Sequence, residues 1–295
     1  MTPLLAVTPG DPSGIGPEVA VAAMRDPGVR RSCRVLAVGP RRAFESAGWT
    51  PKLAPLLDTG SGGCASYEAV RSALRLCRRG LAHGMVTAPI SKQSWASAGV
   101  PYRDHTEMLA AETRSPRAGM WLEGGGLRAV LVTRHIPLRR VADALTPQAL
   151  ALAARLAHDG LLRLGVRRPR LGLCALNPHA GDGGLLGKEE FGLRRTAVRL
   201  RSEGVHVSDP LPADAAWQAH AAGRFDVLLA LYHDQALIPL HLKAGFSIVN
   251  WTLGIPVVRT APGHGTAFDI AGKGKADPSG MIAAVLHAAR VSNVF

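Results

Sequence analysis

Three histidines follow short apolar runs in the same manner. His135 comes after residues 129–134, His179 after residues 171–178 and His233 after residues 227–232. In open parallel sheets, ligands bind beyond the carboxyl ends of the strands. Three imidazoles gathered there could hold one divalent ion and leave coordination positions open for a substrate, as in a catalytic zinc site. The spacing alone leaves open that each histidine is a hydrogen-bonded structural residue.

Two glycine-rich segments, TPGDPSGIGPE at 8–18 and PGHGTAFDIAGKG at 262–274, could bind a phosphate-bearing ligand. Glycines let the backbone approach a ligand closely, and exposed amides bind pyrophosphate groups. Neither segment has the spacing of a Rossmann G-x-G-x-x-G motif or of a P-loop. Tight turns are therefore the alternative for both.

Strand-like and helix-like segments alternate along the chain. Unbroken apolar runs predict buried strands at 4–7, 35–38, 85–86, 129–132, 171–175 and 227–231. Apolar residues at helical spacing predict helices at 68–79 and 147–164, the second capped by Thr146 with Pro147 at its first position. This alternation predicts an α/β fold with mostly parallel strands. Gly124, Gly125 and Gly126 are the predicted hinge between two lobes.

Composition narrows the class of protein. The 295 residues are 47% hydrophobic and 19% charged, which is typical of a globular protein long enough for two lobes. The net charge of +13 comes from dispersed arginines, and aromatic residues make up only 5%. Stacking platforms for nucleic acid are therefore not expected, whereas a positive field favours anionic substrates and cofactors. The absence of a long apolar run, a signal peptide or a C-x-x-C pair predicts a cytoplasmic protein that does not enter membranes.

Together these segments resemble the 4-hydroxythreonine-4-phosphate dehydrogenase family. The similar stretches cover nearly the whole chain in the expected order: TPGDPSGIGPEV at 8–19, TAPISK at 87–92, HTE at 105–107, TRHIPL at 133–138, LNPHAGDGGLLGKEE at 176–190, PAD at 212–214, YHDQALIP at 232–239, VNWTLGIPVVRT at 249–260 and HGTAFDIAGKG at 264–274. The two glycine-rich loops also resemble the wider isopropylmalate and isocitrate dehydrogenase superfamily.

The resemblance implies an isopropylmalate dehydrogenase-like architecture of two α/β/α lobes with an active-site cleft between them. Residues 1–125 and 260–295 would form the cofactor-binding lobe. Residues 126–259 would form the central lobe for metal, substrate and dimerisation. The implied assembly is a homodimer whose shared active site takes residues from both subunits.

The resemblance also implies roles for individual residues. His135, His179 and His233 fall on the metal ligands, with one donated by the partner subunit. The substrate-binding positions are His105, Thr106, Asn250 and Arg259, with Asp214 near the same site and His241 at the position of a family lysine. The cofactor would contact Gly14, His264, Gly265, Thr266 and Asp269. A carboxylate at Asp269 predicts NAD over NADP, because it satisfies a free ribose 2′-hydroxyl and repels a 2′-phosphate.

Three positions depart from the family pattern. Asp104 stands where a glycine usually precedes His-Thr-Glu, and Gly263 stands where an aspartate usually precedes His-Gly-Thr. His241 replaces the substrate-binding lysine, and Lys243 lies two residues further on. The loss of a permanent charge favours a substrate that differs from the family's usual one.

The implied reaction is a metal-dependent, NAD-linked oxidation, with decarboxylation, of 4-hydroxythreonine 4-phosphate or a close phosphorylated hydroxy acid, as in pyridoxal phosphate biosynthesis. Zinc is the favoured ion, with magnesium or cobalt as alternatives, and Lys92 or Asp234 is the candidate general base. One alternative is a paralogue that acts on a four-carbon sugar acid phosphate or on a dihydrodiol dicarboxylate. A different-class alternative is a non-catalytic anion- or nucleic-acid-binding protein.

Overall fold

The computed structural model describes residues 2–62 and 64–293. The chain divides into two compact units, the first formed by Met1–Ala118 with Phe246–Phe295 and the second by Gly119–Gly245. Met1, Gly63 and residues 294–295 of the predicted cofactor-binding lobe lie outside the described residues.

In chain order the strands are β1 (Leu4–Thr8), β2 (Arg34–Gly39), β3 (Leu56–Asp58), β4 (Gly84–Thr87), β5 (Gly119–Gly124), β6 (Leu127–Leu131), β7 (Leu171–Cys174), β8 (Val207–Leu211), β9 (Val227–Ala230), β10 (Val249–Leu253) and β11 (Arg259–Pro262). The α-helices are α1 (Gly16–Arg25), α2 (Pro27–Ser32), α3 (Arg41–Ser46), α4 (Ala65–Arg78), α5 (Lys92–Ser97), α6 (His105–Glu112), α7 (Val141–Ala144), α8 (Pro147–Arg163), α9 (Glu189–Ser202), α10 (Ala213–Ala221), α11 (His233–Ala244) and α12 (Ser279–Ser292). Short 3₁₀ segments span Leu138–Arg140 and Pro178–Gly184. All six predicted strands and both predicted helices are confirmed.

The first unit is built on strands in the order β3-β2-β1-β4-β11-β10. The β2/β3, β1/β2, β1/β4 and β4/β11 pairs are parallel, whereas β10 runs antiparallel to β11. The central strands β1 and β4 are almost wholly buried, which explains their unbroken apolar sequences. Because β1 and β4 are parallel, their carboxyl ends lie together at one edge of the sheet, where Thr8 pairs in register with Thr87.

The second unit has the strand order β5-β6-β9-β7-β8. β5 and β6 form an antiparallel hairpin, and the β6/β9, β9/β7 and β7/β8 pairs are parallel. Helix α8 begins as predicted, because the Thr146 side chain accepts a hydrogen bond from the amide of Ala149 at 3.1 Å. In the described part of the chain, no helix is long and apolar enough to cross a membrane.

The glycine run is not the hinge that the sequence predicted. Gly125 and Gly126, with φ values of 58° and 82°, form the two-residue turn between β5 and β6. Such left-handed turns match the twist of a hairpin and favour glycine. The unit boundaries fall instead at 118/119 and 245/246, so β10 belongs with β11 in the first unit and not with residues 126–259.

Candidate active site

Arg259, the first residue of β11, is a buried charged residue of the first unit. Its side chain is buried, with the residue only 2% exposed. The guanidinium donates hydrogen bonds to Oγ1 of Thr87 (2.7 Å from Nη2 and 3.1 Å from Nε) and to Oγ1 of Thr252 (3.0 Å from Nη1). No carboxylate of the described residues forms an ion pair with it. Burial lowers the pKa of Arg259 to about 10, and the charge of Asp104 opposes that decrease.

Among the described residues no carboxylate forms an ion pair with this buried guanidinium, and its burial costs free energy that a bound anion would offset. Thr87 and Thr252, which the sequence reasoning missed, hold the guanidinium in place. Thr87 lies in the TAPISK segment at the carboxyl end of β4, and this position at the end of a strand could have marked it as a site residue.

His105 is the first residue of α6 and is also buried in the first unit. It is 8% exposed, and its ring contacts the Trp95 indole edge to face with centroids 5.5 Å apart. Its Nε2 atom is buried and has no hydrogen-bond partner among the described residues. Burial, and secondarily the charge of Arg259, holds the pKa of His105 well below its usual range. His105 is therefore a neutral donor or acceptor near neutral pH.

Helix α6 begins with a side-chain cap. Oδ1 of Asp104 accepts hydrogen bonds from the amides of Thr106 and Glu107, at 2.9 and 3.0 Å. Thr106 is thus placed in the first turn next to His105. The predicted substrate residue Asn250 is partly buried in β10, in register with Ala261 of β11.

The three candidate metal ligands follow three neighbouring parallel strands of the second unit. His135 comes after β6, His233 after β9 and His179 after β7, and these strands lie in the order β6-β9-β7. The rings of His135 and His233 have centroids 5.6 Å apart. Nδ1 of His233 contacts Oδ1 of Asp234 at 2.6 Å. A carboxylate so bonded fixes the imidazole and leaves Nε2 for a metal, as in many metalloenzymes.

Two of these histidines have an unusual backbone. His135 and His179 have φ values of 47° and 53°, and Ala180 and Asp182 are also left-handed. Non-glycine residues in this region are strained by roughly 1–3 kcal/mol each, and such residues cluster at functional sites. The strain therefore favours a functional role for both segments.

Glu190, which the sequence reasoning did not single out, holds the His179 segment. Its buried carboxylate accepts hydrogen bonds from the amides of Leu176 and Asn177, at 3.0 and 2.8 Å, and from Nδ2 of Asn177 at 3.0 Å. A Cβ atom on Gly181 would come within 2.7 Å of Oε2 of Glu190. The pair Glu189 and Glu190 at the end of LNPHAGDGGLLGKEE could have marked this residue in the sequence.

The histidines fit a divalent metal in chemistry, and within one chain two of them come together. Imidazole suits zinc and related ions, and the His233–Asp234 pair has the geometry of a supported ligand. Among residues 2–62 and 64–293, no group of three histidine, cysteine, aspartate or glutamate side chains forms a metal cluster. His179 therefore does not complete a three-ligand set with His135 and His233 in the single chain.

The remaining predicted residues are exposed. Asp214 lies in the first turn of α10 and Lys92 is the first residue of α5. His241 lies in the last turn of α11, where its Nδ1 contacts the carbonyl oxygen of Gly245 at 3.2 Å. Lys243 packs instead against the β5/β6 turn, since a Cβ atom on Gly125 would lie 2.7 Å from its Cγ atom.

The two glycine-rich loops meet in the first unit. The amide of Ile15 donates to the carbonyl oxygen of Thr266 at 2.9 Å, and a Cβ atom on Gly14 would lie 2.8 Å from that oxygen. The carboxylate of Glu18 accepts a hydrogen bond from the amide of Gly272. A cavity of about 520 Å³ adjoins both loops, and its lining includes Gly14, Glu18, Arg25, Ser46, Gly272 and Gly274.

The second loop carries the other cofactor candidates. Nε2 of His264 is buried without a hydrogen-bond partner in the described part of the chain, and Gly265 is exposed beside it. Asp269 is exposed, and its carbonyl oxygen accepts a hydrogen bond from Nζ of Lys273 at 2.7 Å. The ammonium group of Lys273 thus lies next to Asp269, the residue that was predicted to repel a 2′-phosphate.

Comparison with known proteins identifies relatives over nearly the full chain. Residues 49–288 match the family described as pyridoxal phosphate biosynthetic protein PdxA. The chain is 40% identical to a 4-hydroxythreonine-4-phosphate dehydrogenase of Beijerinckia indica, covering 97% of this chain and 94% of the relative. It is 41% identical to the Aromatoleum aromaticum enzyme of the same name, covering 99% and 97%.

Solved structures agree with this assignment. A 4-hydroxythreonine-4-phosphate dehydrogenase from Klebsiella pneumoniae superposes with a TM-score of 0.89 at 31% identity, covering 99% of this chain and all of that one. A terephthalate 1,2-cis-dihydrodiol dehydrogenase from Burkholderia xenovorans gives a TM-score of 0.68 at 30% identity, covering 95% and 96%. Isocitrate dehydrogenase from Methylococcus capsulatus, at 20% identity, 96% and 83% coverage and a TM-score of 0.51, shares the fold. The predicted isopropylmalate and isocitrate dehydrogenase-like fold class is confirmed.

Proposed function

Because the chain belongs to the PdxA family of pyridoxal phosphate biosynthetic proteins, we propose that it is a metal-dependent dehydrogenase of a small anionic hydroxy acid. The primary candidate substrate is 4-hydroxythreonine 4-phosphate or a close phosphorylated hydroxy acid. The reaction moves a hydride from the carbinol carbon to a nicotinamide and a proton from the hydroxyl to a base. The resulting β-keto acid can then lose CO₂.

The observation that carries this proposal is the buried Arg259. A guanidinium that is 2% exposed and hydrogen-bonds, within the part of the chain that the structure describes, to threonine hydroxyls alone is suited to an incoming oxyanion. Neutral His105 and the amide side chain of Asn250 offer uncharged polar groups for the rest of the substrate. A carboxylate or phosphate group of the substrate would supply the negative charge opposite the Arg259 guanidinium.

The metal is held, in this proposal, by His135, His233 and His179, with one of the three coming from a partner subunit. Asp234 orients His233 and is therefore a weaker candidate for the general base than the sequence suggested. Lys92, exposed at the start of α5, is the remaining candidate. When bound, the ion supplies Lewis-acid polarisation of the substrate oxygen; zinc is favoured and magnesium or cobalt are alternatives.

A homodimer and a cytoplasmic location are part of the proposal. In the second unit, Leu138, Leu185 and Leu242 are 69%, 85% and 85% exposed, which favours burial of their surfaces against another chain. The four cysteines are free thiols, as expected in a reducing compartment. Nucleic acid and membranes are not among the proposed partners.

The cofactor is NAD, with NADP as the alternative. The contact between Gly14 and Thr266 joins the two loops, and the adjacent cavity gives space for a nucleotide. The amides of the exposed glycines Gly265 and Gly272 are suited to a pyrophosphate group.

A second candidate substrate is a dihydrodiol dicarboxylate, favoured by the similarity to the Burkholderia xenovorans enzyme and by His241 in place of a lysine. The test is reduction of NAD by the zinc-loaded full chain with 4-hydroxythreonine 4-phosphate, a four-carbon sugar acid phosphate and a cis-dihydrodiol dicarboxylate. Turnover that Arg259→Met abolishes supports the proposal. If none of the three substrates is oxidised with any of the candidate metals and either cofactor, the proposal is wrong.

A further inference from the structure

Among the described residues, one buried threonine hydroxyl of the first unit lacks a hydrogen-bond partner. Thr8, the last residue of β1, is 0% exposed, and its Oγ1 atom is the unpartnered one. A buried hydroxyl of this kind costs free energy, and native proteins contain few of them. The other buried threonines of the described chain all form a side-chain hydrogen bond: Thr87, Thr133, Thr196, Thr252 and Thr260.

Strand formation does not explain the hydroxyl of Thr8. The strand has the sequence Leu-Leu-Ala-Val-Thr, and its other residues are apolar. Valine has the same branched shape as threonine and would suit the strand without burying a polar group. A ligand that accepts from the hydroxyl explains its presence, whereas packing does not.

Thr8 lies next to the residue that binds the buried guanidinium. It pairs in register with Thr87, the last residue of the parallel strand β4, so both side chains lie on the same face of the sheet. Arg259 pairs with Met85, two residues before Thr87, and therefore shares that face. Nη2 of Arg259 donates to Oγ1 of Thr87 at 2.7 Å. Since neighbouring strands lie about 4.8 Å apart, one bound oxyanion can reach both the guanidinium and the Thr8 hydroxyl.

The polar groups of this cluster are donors. Oγ1 of Thr87 accepts from two nitrogens of Arg259, at 2.7 and 3.1 Å, so its own O–H is free to donate elsewhere. Arg259 adds a fixed positive charge and forms no ion pair with a carboxylate of the described residues. Two hydroxyl donors beside a guanidinium match an oxyanion, which accepts charge-assisted hydrogen bonds from several directions.

The backbone at these two strand ends is fixed by direct contacts. The amide of Ala88 donates to the carbonyl oxygen of Thr8 at 3.3 Å, and the amide of Asp11 donates to that of Pro89 at 2.9 Å. Gly10, with a φ value of 69°, lies so close that a Cβ atom on it would be 2.1 Å from the Pro89 oxygen. Ligands of open parallel sheets bind beyond the carboxyl ends of the strands, which is where Thr8 lies.

We infer that Thr8 is a further substrate-binding residue, whose hydroxyl donates a hydrogen bond to the oxyanion that Arg259 neutralises. The accepted group is a phosphate or a carboxylate of the substrate. This inference rests on the proposed function, because it adds a residue to the Arg259 site.

The test separates the hydroxyl of Thr8 from the shape of its side chain. Thr8→Val removes the hydroxyl and keeps the volume, whereas Thr8→Ser keeps the hydroxyl and loses a methyl group. Isothermal titration calorimetry measures the binding of inorganic phosphate and of acetate to the full-length protein, and differential scanning calorimetry measures Tm. For the tighter-binding anion we expect Thr8→Val to raise Kd about 10-fold, as for the loss of one hydrogen bond to a charged group, with Tm equal to or above that of the wild type. Thr8→Ser should bind like the wild type, although its Tm should be lower.

Thr260→Val is the matched control, because Thr260 is also 0% exposed and its hydroxyl donates to the carbonyl oxygen of Ala284 at 2.8 Å. This variant should have a lower Tm and an unchanged anion affinity, since it leaves a buried carbonyl oxygen without its donor. An unchanged affinity in Thr8→Val, an equal loss of affinity in Thr260→Val, or no anion binding to the wild type overturns the inference.

Arg259→Met should remove the anion binding, which assigns it to this site; binding that persists in this variant also overturns the inference. If Arg259→Met removes the binding and Thr8→Val does not weaken it, the inference is wrong and the proposed function stands. Weaker anion binding in Thr8→Val, without turnover of any of the three candidate substrates by the wild type, refutes the proposed function alone.

Discussion

The imidazole rings of His135 and His233 lie with their centroids 5.6 Å apart. The segments that carry them are joined by a hydrogen bond between Thr133 and Leu231, which are 98 positions apart in the chain. Oγ1 of Thr133 donates to the carbonyl oxygen of Leu231 at 2.6 Å, and the amide of Thr133 donates to the same oxygen at 3.2 Å. The parallel pairing of β6 with β9 thus continues past the strands and brings the two histidines together.

Removal of either histidine should remove the metal. We expect His135→Ala and His233→Ala to lose most of the bound divalent ion, as measured by elemental analysis of the purified protein, while circular dichroism stays unchanged. Asp234→Asn should weaken metal binding about 10-fold or more, because the carboxylate that holds Nδ1 of His233 is lost. His206→Ala changes an exposed histidine elsewhere and serves as the control. Full metal content in both site variants would refute the metal assignment.

Glu190 should stabilise the segment that carries His179. Glu190→Ala leaves three buried or partly buried N–H groups of Leu176 and Asn177 without their acceptor, so the free energy of unfolding should fall by about 2 kcal/mol or more. Chemical denaturation measures this, and metal affinity should fall in parallel. Glu190→Gln keeps one oxygen acceptor and should lose less. Glu189→Gln, which changes the more exposed neighbour, is the comparison; an equal loss there would contradict a specific role for Glu190.

Cofactor choice should depend on Asp269 and Lys273 in opposite directions. Asp269→Asn should lower the ratio of kcat/KM for NAD over NADP by about 10-fold, since a carboxylate near a 2′-phosphate repels it. Lys273→Met should raise that ratio, because the ammonium bonded to the Asp269 carbonyl oxygen shields the repulsion. Lys275→Met changes a nearby lysine that is exposed. No change in either of the first two variants would exclude this loop as the determinant.

His241→Lys should improve the use of phosphorylated substrates. Lysine carries a permanent charge at neutral pH, whereas an imidazole is charged only in part. The expected result is a lower KM for 4-hydroxythreonine 4-phosphate with kcat little changed, measured by NAD reduction. His241→Gln should raise KM. Equal KM values in all three proteins would show that Lys243, or no residue of this turn, contacts the anion.

The free energy of unfolding should decrease as pH decreases below 7, because the buried His105 must take up a proton on unfolding. The pKa of His105 in the folded protein is lowered, so below about pH 6.5 the unfolded chain binds a proton that the folded chain does not. The free energy of unfolding should therefore decrease as pH falls from 7 through 6.5 towards the lowered pKa, with a slope approaching about 1.4 kcal/mol per pH unit. His105→Gln should reduce this slope, whereas His206→Gln should not. Identical slopes for wild type and His105→Gln would contradict the buried neutral state.

Local pattern was enough to predict the strands and the α/β class. The sequences of β1, β7 and β9 are unbroken apolar runs because both faces of each strand are buried. Helix α8 begins directly after Thr146 because the side chain of this residue caps it locally. The polar residues that follow β6, β7 and β9 were equally visible, since the position of a side chain after a strand depends only on the strand itself. The resemblance to the dehydrogenase family added roles to those positions.

The glycine run could not be interpreted from sequence alone. Gly125 is suited equally to a hinge and to a hairpin turn, and only the pairing of β5 with β6 decides between them. The return of β10 to the first unit depends likewise on its pairing with β11.

Tertiary structure alone decided the environment of the charges. The family resemblance pointed to Arg259, but the sequence does not indicate that Thr87, 172 positions away, accepts hydrogen bonds from its guanidinium, or that the residue is only 2% exposed. The close approach of Gly14 to Thr266 and the hydrogen bond from the amide of Asn177 to Glu190 also join residues that local sequence patterns do not connect. Strand order and loop packing create these contacts, and neither is encoded in local periodicity, because desolvation and hydrogen bonding depend on neighbours that are distant in the chain.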